Sequence, residues 1–594
     1  MSNALPGPQA QAFYNVCVSC ISRIRIELVE ALEEGENSSV KRQMTEDEKI
    51  AINSFDLWAK ELLEVVWLGI LERDEKGLNL FFAIGTVTPT DHPRFIEHPN
   101  SIEPILSKFT VRDAQTPLEK LPPTSRASLL RTFLLLMLTT VKRYDGRTRV
   151  LLRRLSDSLH LQFPSDYEES VEQALKHPDQ AIKATKEAAA KREETGRISR
   201  NWKIGLATLA GGVAIGVTGG LAAPLVGAGL ASVLGAVGLS GTAAGMMIGG
   251  LASSGMVIGS LFGAYGGHMS GKMVAKRTRE VTDFDFKPLK VNSRLHVTIA
   301  VTGWLNSAED VAEPWTIVDG SGDVEALQWE VQSLLELGRA MTAMVKSQAI
   351  GYVKSEILKR TVLASLMSAL WPLSLLQVGK LIDNPWSNAM DLAKKTGAVL
   401  ADVLIEKVQG ERPITLIGYS LGARTIFYCL VELSRRHAYG IVEHAYMFGL
   451  PAPGSRDYWR SIRRVVSGRI VNGYSTNDWL LAFLYRTTNI KYMVPGLSPV
   501  KVRGVEDIDV SSIVEGHLKY RGAIGQCLAL AGAEDLNGQQ IEEQKKVLHE
   551  IERQESVEDV PMEELVQVEL EKTKADRGDS ANSLQDQSNI GAAK

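Results

Sequence analysis

"ITLIGYSLGARTIFYCLVEL", residues 414–433, runs from an apolar stretch through a Gly-x-Ser-x-Gly into a long amphipathic pattern. A strand that ends this way must turn sharply into a helix, and a serine at the corner is held with a strained backbone. Side chains two residues either way would collide, so Gly418 and Gly422 belong at the elbow. The helix N-terminus behind the serine favours a developing oxyanion. The rival reading makes Ser420 a small residue in a tight turn, because the motif alone is weak in a chain with 51 glycines.

The surroundings favour the nucleophile. "RLHVTIAVTGW" (294–304) is a β-branched strand that ends at glycine, and "DVEALQWEV" (323–331) reads as a second. "ITLIG" is a third, and "EHAYMFGLPAPG" (443–454) and "GRIVNGYSTNDW" (468–479) are two more. Helical patterns separate them, as in 387–410 and after Ser420. Alternating strands and helices imply an α/β fold with a doubly wound parallel sheet, of the α/β-hydrolase kind.

A serine needs a base and an orienting acid, and in this fold the chain order is serine, acid, histidine. His437 closes the nucleophile helix, His444 precedes a strand and His549 lies in the charged tail. His517, in "SIVEGHLKYRG", falls in a loop after the last strand, where the base is required. Asp478 follows the second strand after the nucleophile, the usual place of the acid; Asp457, Asp507 and Asp509 fit less well. The rival roles are a helix cap for Asp478 and a structural loop histidine for His517. One oxyanion donor is the N–H of Leu421, and the other is that of Gly303 or Trp304 in "TGWLN". This chemistry calls for no metal and no organic cofactor.

The rest of the 594-residue chain divides by composition. Its length implies more than one domain. The net charge of −4 gives no basic field, so nucleic acid is not an expected partner. Residues 1–160 read as a helical N-terminal domain, with Ile50, Phe55, Leu62, Val66 and Leu68 near a helical period and a buried helix around Thr132–Val141. Cys17 and Cys20 form a CxxC with no second pair at zinc-site spacing, and read as small residues on a helix face. Residues 161–203 are rich in Ala, Glu and Lys, and predict a charged, solvated helix or a short coiled coil.

From Ile204 to Gly271 there is no Asp, Glu, Lys or Arg, and 20 glycines occur, many spaced by four. That is far longer than the roughly 20 apolar residues of one spanning helix, and glycine stripes suit tightly packed membrane helices. Basic residues flank both ends, which favours a transmembrane hairpin with spans near 204–228 and 243–267. A flexible linker and a three-span arrangement fit less well. Residues 280–534 are the α/β-hydrolase domain. Within it the uncharged stretch at 361–379 reads as a lid-like insertion (357–382) or as a buried helix. Residues 535–594 are an acidic, mostly disordered tail with a short helix.

The glycine-rich hairpin, "VTGWLNSAED", "ALQWE", "GYSLGARTIFYCL", "MFGLPAP" and "VNGYSTNDWLL…EGHLKYR" together resemble the transmembrane and coiled-coil domain-containing protein 4 family. The resemblance covers roughly residues 130–530. It implies a lipase-like α/β-hydrolase domain and a membrane-associated serine hydrolase with Ser420, Asp478 and His517 as the triad. The expected substrate is a lipid or acyl ester at the surface of the membrane lipid that holds the hairpin. The expected location is an endomembrane, with both soluble parts facing the cytosol. The N-terminal helices and the tail are candidate docking surfaces for protein partners. The alternative function is a catalytically silent hydrolase-like scaffold in membrane trafficking.

Overall fold

The computed structural model describes residues 7–35, 41–70, 118–161, 165–177, 258–259, 261, 281–291, 294–320, 322–346, 373–485 and 494–555. Among the described residues seven strands form one sheet in the order β1-β3-β2-β4-β5-β6-β7. They are β1 Phe284–Lys290, β2 Val297–Val301, β3 Asp323–Trp329, β4 Ile414–Tyr419, β5 Val442–Phe448, β6 Ile470–Tyr474 and β7 Glu506–Asp509. β2 to β7 run parallel. β1 pairs with β3 antiparallel, so the sheet is mixed rather than wholly parallel as expected. The sequence of β1, "FDFKPLK", explains why it was missed: it carries a proline and three charged residues, as an edge strand does. β2 and β5 are buried on both faces along their whole length; β2 reads as a nearly continuous apolar run, whereas β5 also buries Glu443 and His444 near its start.

The helices are α1 Gly7–Glu33, α2 Glu46–Ile70, α3 Pro123–Val141, α4 Gly146–Ser158, α5 Ser165–Lys176, α6 Val331–Lys346 and α7 Leu373–Ile405. They continue as α8 Leu421–Arg435, α9 Arg456–Arg463, α10 Trp479–Leu484, α11 Tyr520–Leu530 and α12 Gly538–Glu555. α6, α7, α8 and α9 pack in succession as one layer. A Cβ on Gly418 would meet Ile426 of α8, whereas the next residue, Tyr419, stacks on Tyr520 of α11. Neighbouring strand positions point to opposite faces, so α8 and α11 cover opposite sides and the sheet is wound on both.

The N-terminal helices form a second apolar cluster, with Phe13, Phe133, Leu134 and Leu151 at its centre. Cys17 and Cys20 are buried in it, and burial pushes the Cys17 thiol well up. In α2, Phe55, Leu62 and Val66 face the core as expected, but Ile50 is exposed, so the period drifts at the helix start. Leu68 lies where no side chain is described. α5 does not lie free in solvent: Val171, Ala174 and Leu175 are buried, and it packs on α3.

This bundle is bonded to the sheet rather than tethered to it. Tyr144 N–H donates to Glu411 O and Gly146 N–H to Gly440 O, at 2.9 and 2.7 Å. Arg149 of α4 lies between Glu168 of α5 (2.8 Å) and Glu443 of β5 (2.7 Å), all three buried. Burial pushes the Glu168 carboxyl up, but Arg149 beside it outweighs that and holds it down to about 2. His296, just before β2, is held neutral to about 3, by burial first and then by Arg149.

The hairpin expected at 204–271 lies outside the described residues except at 258–259 and 261, where Leu261 is buried against the helical cluster. Among the described residues no helix is long and apolar enough to cross a membrane. The insertion at 357–382 is described from residue 373 on, as the first turns of α7. The tail does not begin at 535: Leu536 bridges Val318, and α12 buries Ile541. Residues 556–594 lie outside the described residues.

The depressed values predict acid sensitivity. Unfolded His296 takes up a proton below its ordinary value of 6.5, which the fold refuses until about 3, so stability declines as the pH falls through that window. Glu168 adds a second loss as the pH falls from 4.5 toward 2. The urea midpoint should drop from about pH 6.5 downward, and His296→Gln should flatten the part above 4.5; a midpoint that rises on acidification contradicts the assignment.

Candidate active site

Ser420 sits between β4 and α8 with φ 55° and ψ −128°. Few non-glycine residues adopt this conformation, and it persists only where the surroundings impose it. Here they do. Ser420 N–H donates to Phe448 O at the end of β5 (2.9 Å), and Ser420 O accepts from Arg424 N in the first turn of α8 (3.0 Å). A Cβ at Gly422 would stand 2.0 Å from Val301 O, so α8 starts this close to β2 because residue 422 has no side chain.

The three residues expected to act together are adjacent. Ser420 Oγ donates to His517 Nε2 at 2.5 Å. His517 Nδ1–H donates to Asp478 Oδ2 at 2.6 Å. Asp478 also caps α10, since its Oδ1 accepts from Leu481 N at 3.0 Å. Asp478 therefore makes both of the contacts weighed for it, one with each oxygen. The other candidates lie elsewhere. Asp507 accepts from Asn472 and from the N–H groups of Val500 and Lys501, and Asp457 pairs with Arg460 on the surface. Asp509 is bonded to Ser511. His437 bonds to Tyr439, and His444 Nδ1 accepts from Arg469 N.

The segments that carry acid and base are tied to each other. Ser475 Oγ donates to Val514 O (2.7 Å), Thr476 N–H to Ser511 Oγ (2.9 Å) and Asn477 Nδ2 to Ser511 O (3.1 Å). The ring of Tyr520 meets the imidazole edge to face, with centroids 5.6 Å apart. Burial first, and then the Asp478 charge, pushes the Tyr520 phenol well up, so this ring is a neutral support. Sequence reasoning missed Ser475, Ser511 and Tyr520. Their only signal was adjacency to Asp478 and His517, which says nothing of direction.

Gly303 closes the other side. A Cβ on it would lie 2.3 Å from Tyr419 O, 2.5 Å from Leu421 N and 2.6 Å from Ser420 Cβ. The loop after β2 thus brings the backbone of residues 303–304 against the first N–H of α8. Leu421 N–H is among the helix-start amides that have no intrahelical acceptor. The loop is held by Trp315 Nε1, which donates to Thr302 Oγ1 (2.8 Å), and by the Asp310 carboxylate, which accepts from Asn306 N (2.7 Å). Arg521 ties it to the base segment through Asp310 and Glu313, at 2.7 and 2.6 Å.

Ser420, Asp478 and His517 are almost wholly covered. A cleft of about 590 Å³ reaches the group at Trp304 and His517. A second, of about 500 Å³, lies between the N-terminal helices and the amino ends of β5, β6 and β7, at the sheet edge away from Ser420.

Residues 196–534 match a family described as "Protein of unknown function (DUF726)". An uncharacterized membrane protein of Schizosaccharomyces pombe is 41% identical over 66% of this chain and 70% of its own length. "Transmembrane and coiled-coil domain-containing protein STS1" of Oryza sativa is 37% identical over 65% of this chain and 61% of its own. "Probable lipase MIL1" of Saccharomyces cerevisiae is 36% identical over 48% of this chain, which spans 28% of that protein's length. No solved structure matches the chain.

The close approach at residue 303 makes a prediction about the fold alone. Gly303→Ala forces its methyl against backbone atoms that cannot rotate away, and should cost about 1–3 kcal/mol by thermal or urea unfolding. An unchanged midpoint would mean that the loop stands off the elbow.

Proposed function

The chain belongs to the DUF726 family, and from that premise we propose that it is a membrane-associated serine hydrolase of the lipase or esterase type. The observation that carries this reading is the hydrogen-bonded series from Ser420 Oγ through His517 to Asp478, mounted on a strand–turn–helix corner. Relatives named as membrane proteins and one named a probable lipase support it. Kinship with the transmembrane and coiled-coil domain-containing protein 4 group, a glycine-rich membrane hairpin and an endomembrane location facing the cytosol belong to the same reading.

Ser420 Oγ attacks an ester carbonyl while His517 Nε2 takes its proton. Asp478 holds the imidazole by Nδ1 and stabilises the imidazolium. The N–H groups of Leu421 and of Gly303 or Trp304 receive the oxyanion. His517 returns its proton to the leaving alcohol, and water then releases the acyl group by the same steps in reverse order of roles. Because Ser420 is covered, turnover includes an opening step.

That same cover favours a second reading, a hydrolase-like scaffold in membrane traffic that does not turn over. In a cell that lacks the protein, full rescue by Ser420→Ala would support the scaffold.

A fluorophosphonate probe should label the full-length wild type and not Ser420→Ala; equal labelling of both removes the hydrolase assignment. Asp478→Asn separates the two duties of that side chain. Its amide oxygen can still cap α10, so the unfolding midpoint should barely move. The labelling rate should fall by a factor on the order of ten thousand, because the imidazole loses its orienting charge.

A further inference from the structure

The cleft that reaches His517 has walls from two helices that sequence reasoning had not connected. On one side is α6, with Val345; on the other is α12, with Val547 and Leu548; Trp304, Trp479, Leu480 and Leu518 add to the apolar lining, and charged side chains such as Glu515 and Lys519 line the rest. α12 is fixed in place. Gln544 Oε1 accepts from Gly525 N (3.0 Å), and Gln544 Nε2 donates to Pro314 O (3.1 Å). Ile541 is buried against the core, and α12 runs so near α11 that a Cβ on Gly522 would stand 2.9 Å from Leu548 Cδ1.

Val547 is nonetheless 56% exposed among the described residues, an apolar side chain on the cleft wall. An apolar wall continuous with a nucleophile's base suits the hydrocarbon part of the molecule attacked. The family match ends at residue 534, before α12 begins at Gly538. This wall is therefore built from sequence beyond the segment that places the chain in its family.

We propose that α12 gauges the acyl chain: Val547 and Leu548 form the surface along which the hydrocarbon chain of an ester lies when its carbonyl is at Ser420. The proposal rests on the hydrolase reading and adds the substrate class, an ester of a long unbranched acyl group. Each methylene laid on the wall adds favourable burial, so long chains gain more than short ones. Narrowing the wall removes that gain.

The test uses the full-length protein and two active-site-directed probes, alkyl phosphonofluoridates with butyl and dodecyl chains. The readout is the ratio of their labelling rates at Ser420. The wild type should favour dodecyl. Val547→Trp, a change at an exposed position, should lower the dodecyl-to-butyl ratio about tenfold or more. Val547→Lys should lower it as well. Glu542→Trp, on the same helix but outside the cleft lining, should leave the ratio at the wild-type value. A ratio unmoved by both Val547 variants, or moved equally by Glu542→Trp, overturns the gauge while Ser420 still labels. Failure of both probes on every variant overturns the hydrolase reading beneath it.

Discussion

The site depends on a backbone that non-glycine residues avoid. At φ 55° Ser420 bends the chain from β4 into α8 within one residue. The strain is of order 1–3 kcal/mol for such a residue, and three neighbours hold it in place. The end of β5 accepts its amide, Gly422 lets α8 start against β2, and Gly303 lets the β2 loop press on the corner. The elbow is thus a product of three adjacent parallel strands, β2, β4 and β5. Only a sheet with β4 at its centre brings those three ends together.

The same logic applies at larger scale to the bundle and the sheet. Their apolar clusters are separate, yet Arg149 and Arg153 reach from α4 to Glu443 at the start of β5. A buried ion pair adds little net stability, because desolvation offsets attraction, but losing one partner is costly. Such a pair makes relative placement specific: the bundle fits the sheet where both carboxylates meet Arg149. Arg153 continues this link to Glu534, just ahead of α12. One charged seam therefore connects the first helices, the central strands and the segment that leads into the cleft wall.

Much of this was legible in the sequence. β2, β4 and β6 are largely apolar runs and β5 ends in one, each with glycine or turn residues after it, and Ser420, Asp478 and His517 could be chosen from chain order alone. The structure brings those three side chains into contact, each on the segment that follows a particular strand. What escaped notice shares a physical character. β1 is an edge strand whose proline and charges hide its period. α5 is charged, yet Glu168 and Glu172 are buried against Arg149 and Arg294, which lie 19 and 122 residues away in sequence. α12 looks like solvated tail because two of its contacts, through Gln544 and Ile541, use one polar and one apolar residue among many charges. Pairing across long separations is invisible to local pattern.

Asp478 serves two masters, and this bears on how lapsed relatives of such a protein should be recognised. One oxygen starts a helix and the other steadies an imidazole. A lineage that abandoned chemistry would still be selected to keep the aspartate, for the sake of the helix. Ser420 has the opposite standing: once idle, its contorted backbone is pure burden, and glycine would relieve it. On the hydrolase reading proposed above, inheritance of the acid is a poor witness to activity, and the hydroxyl at the strained corner is the better one.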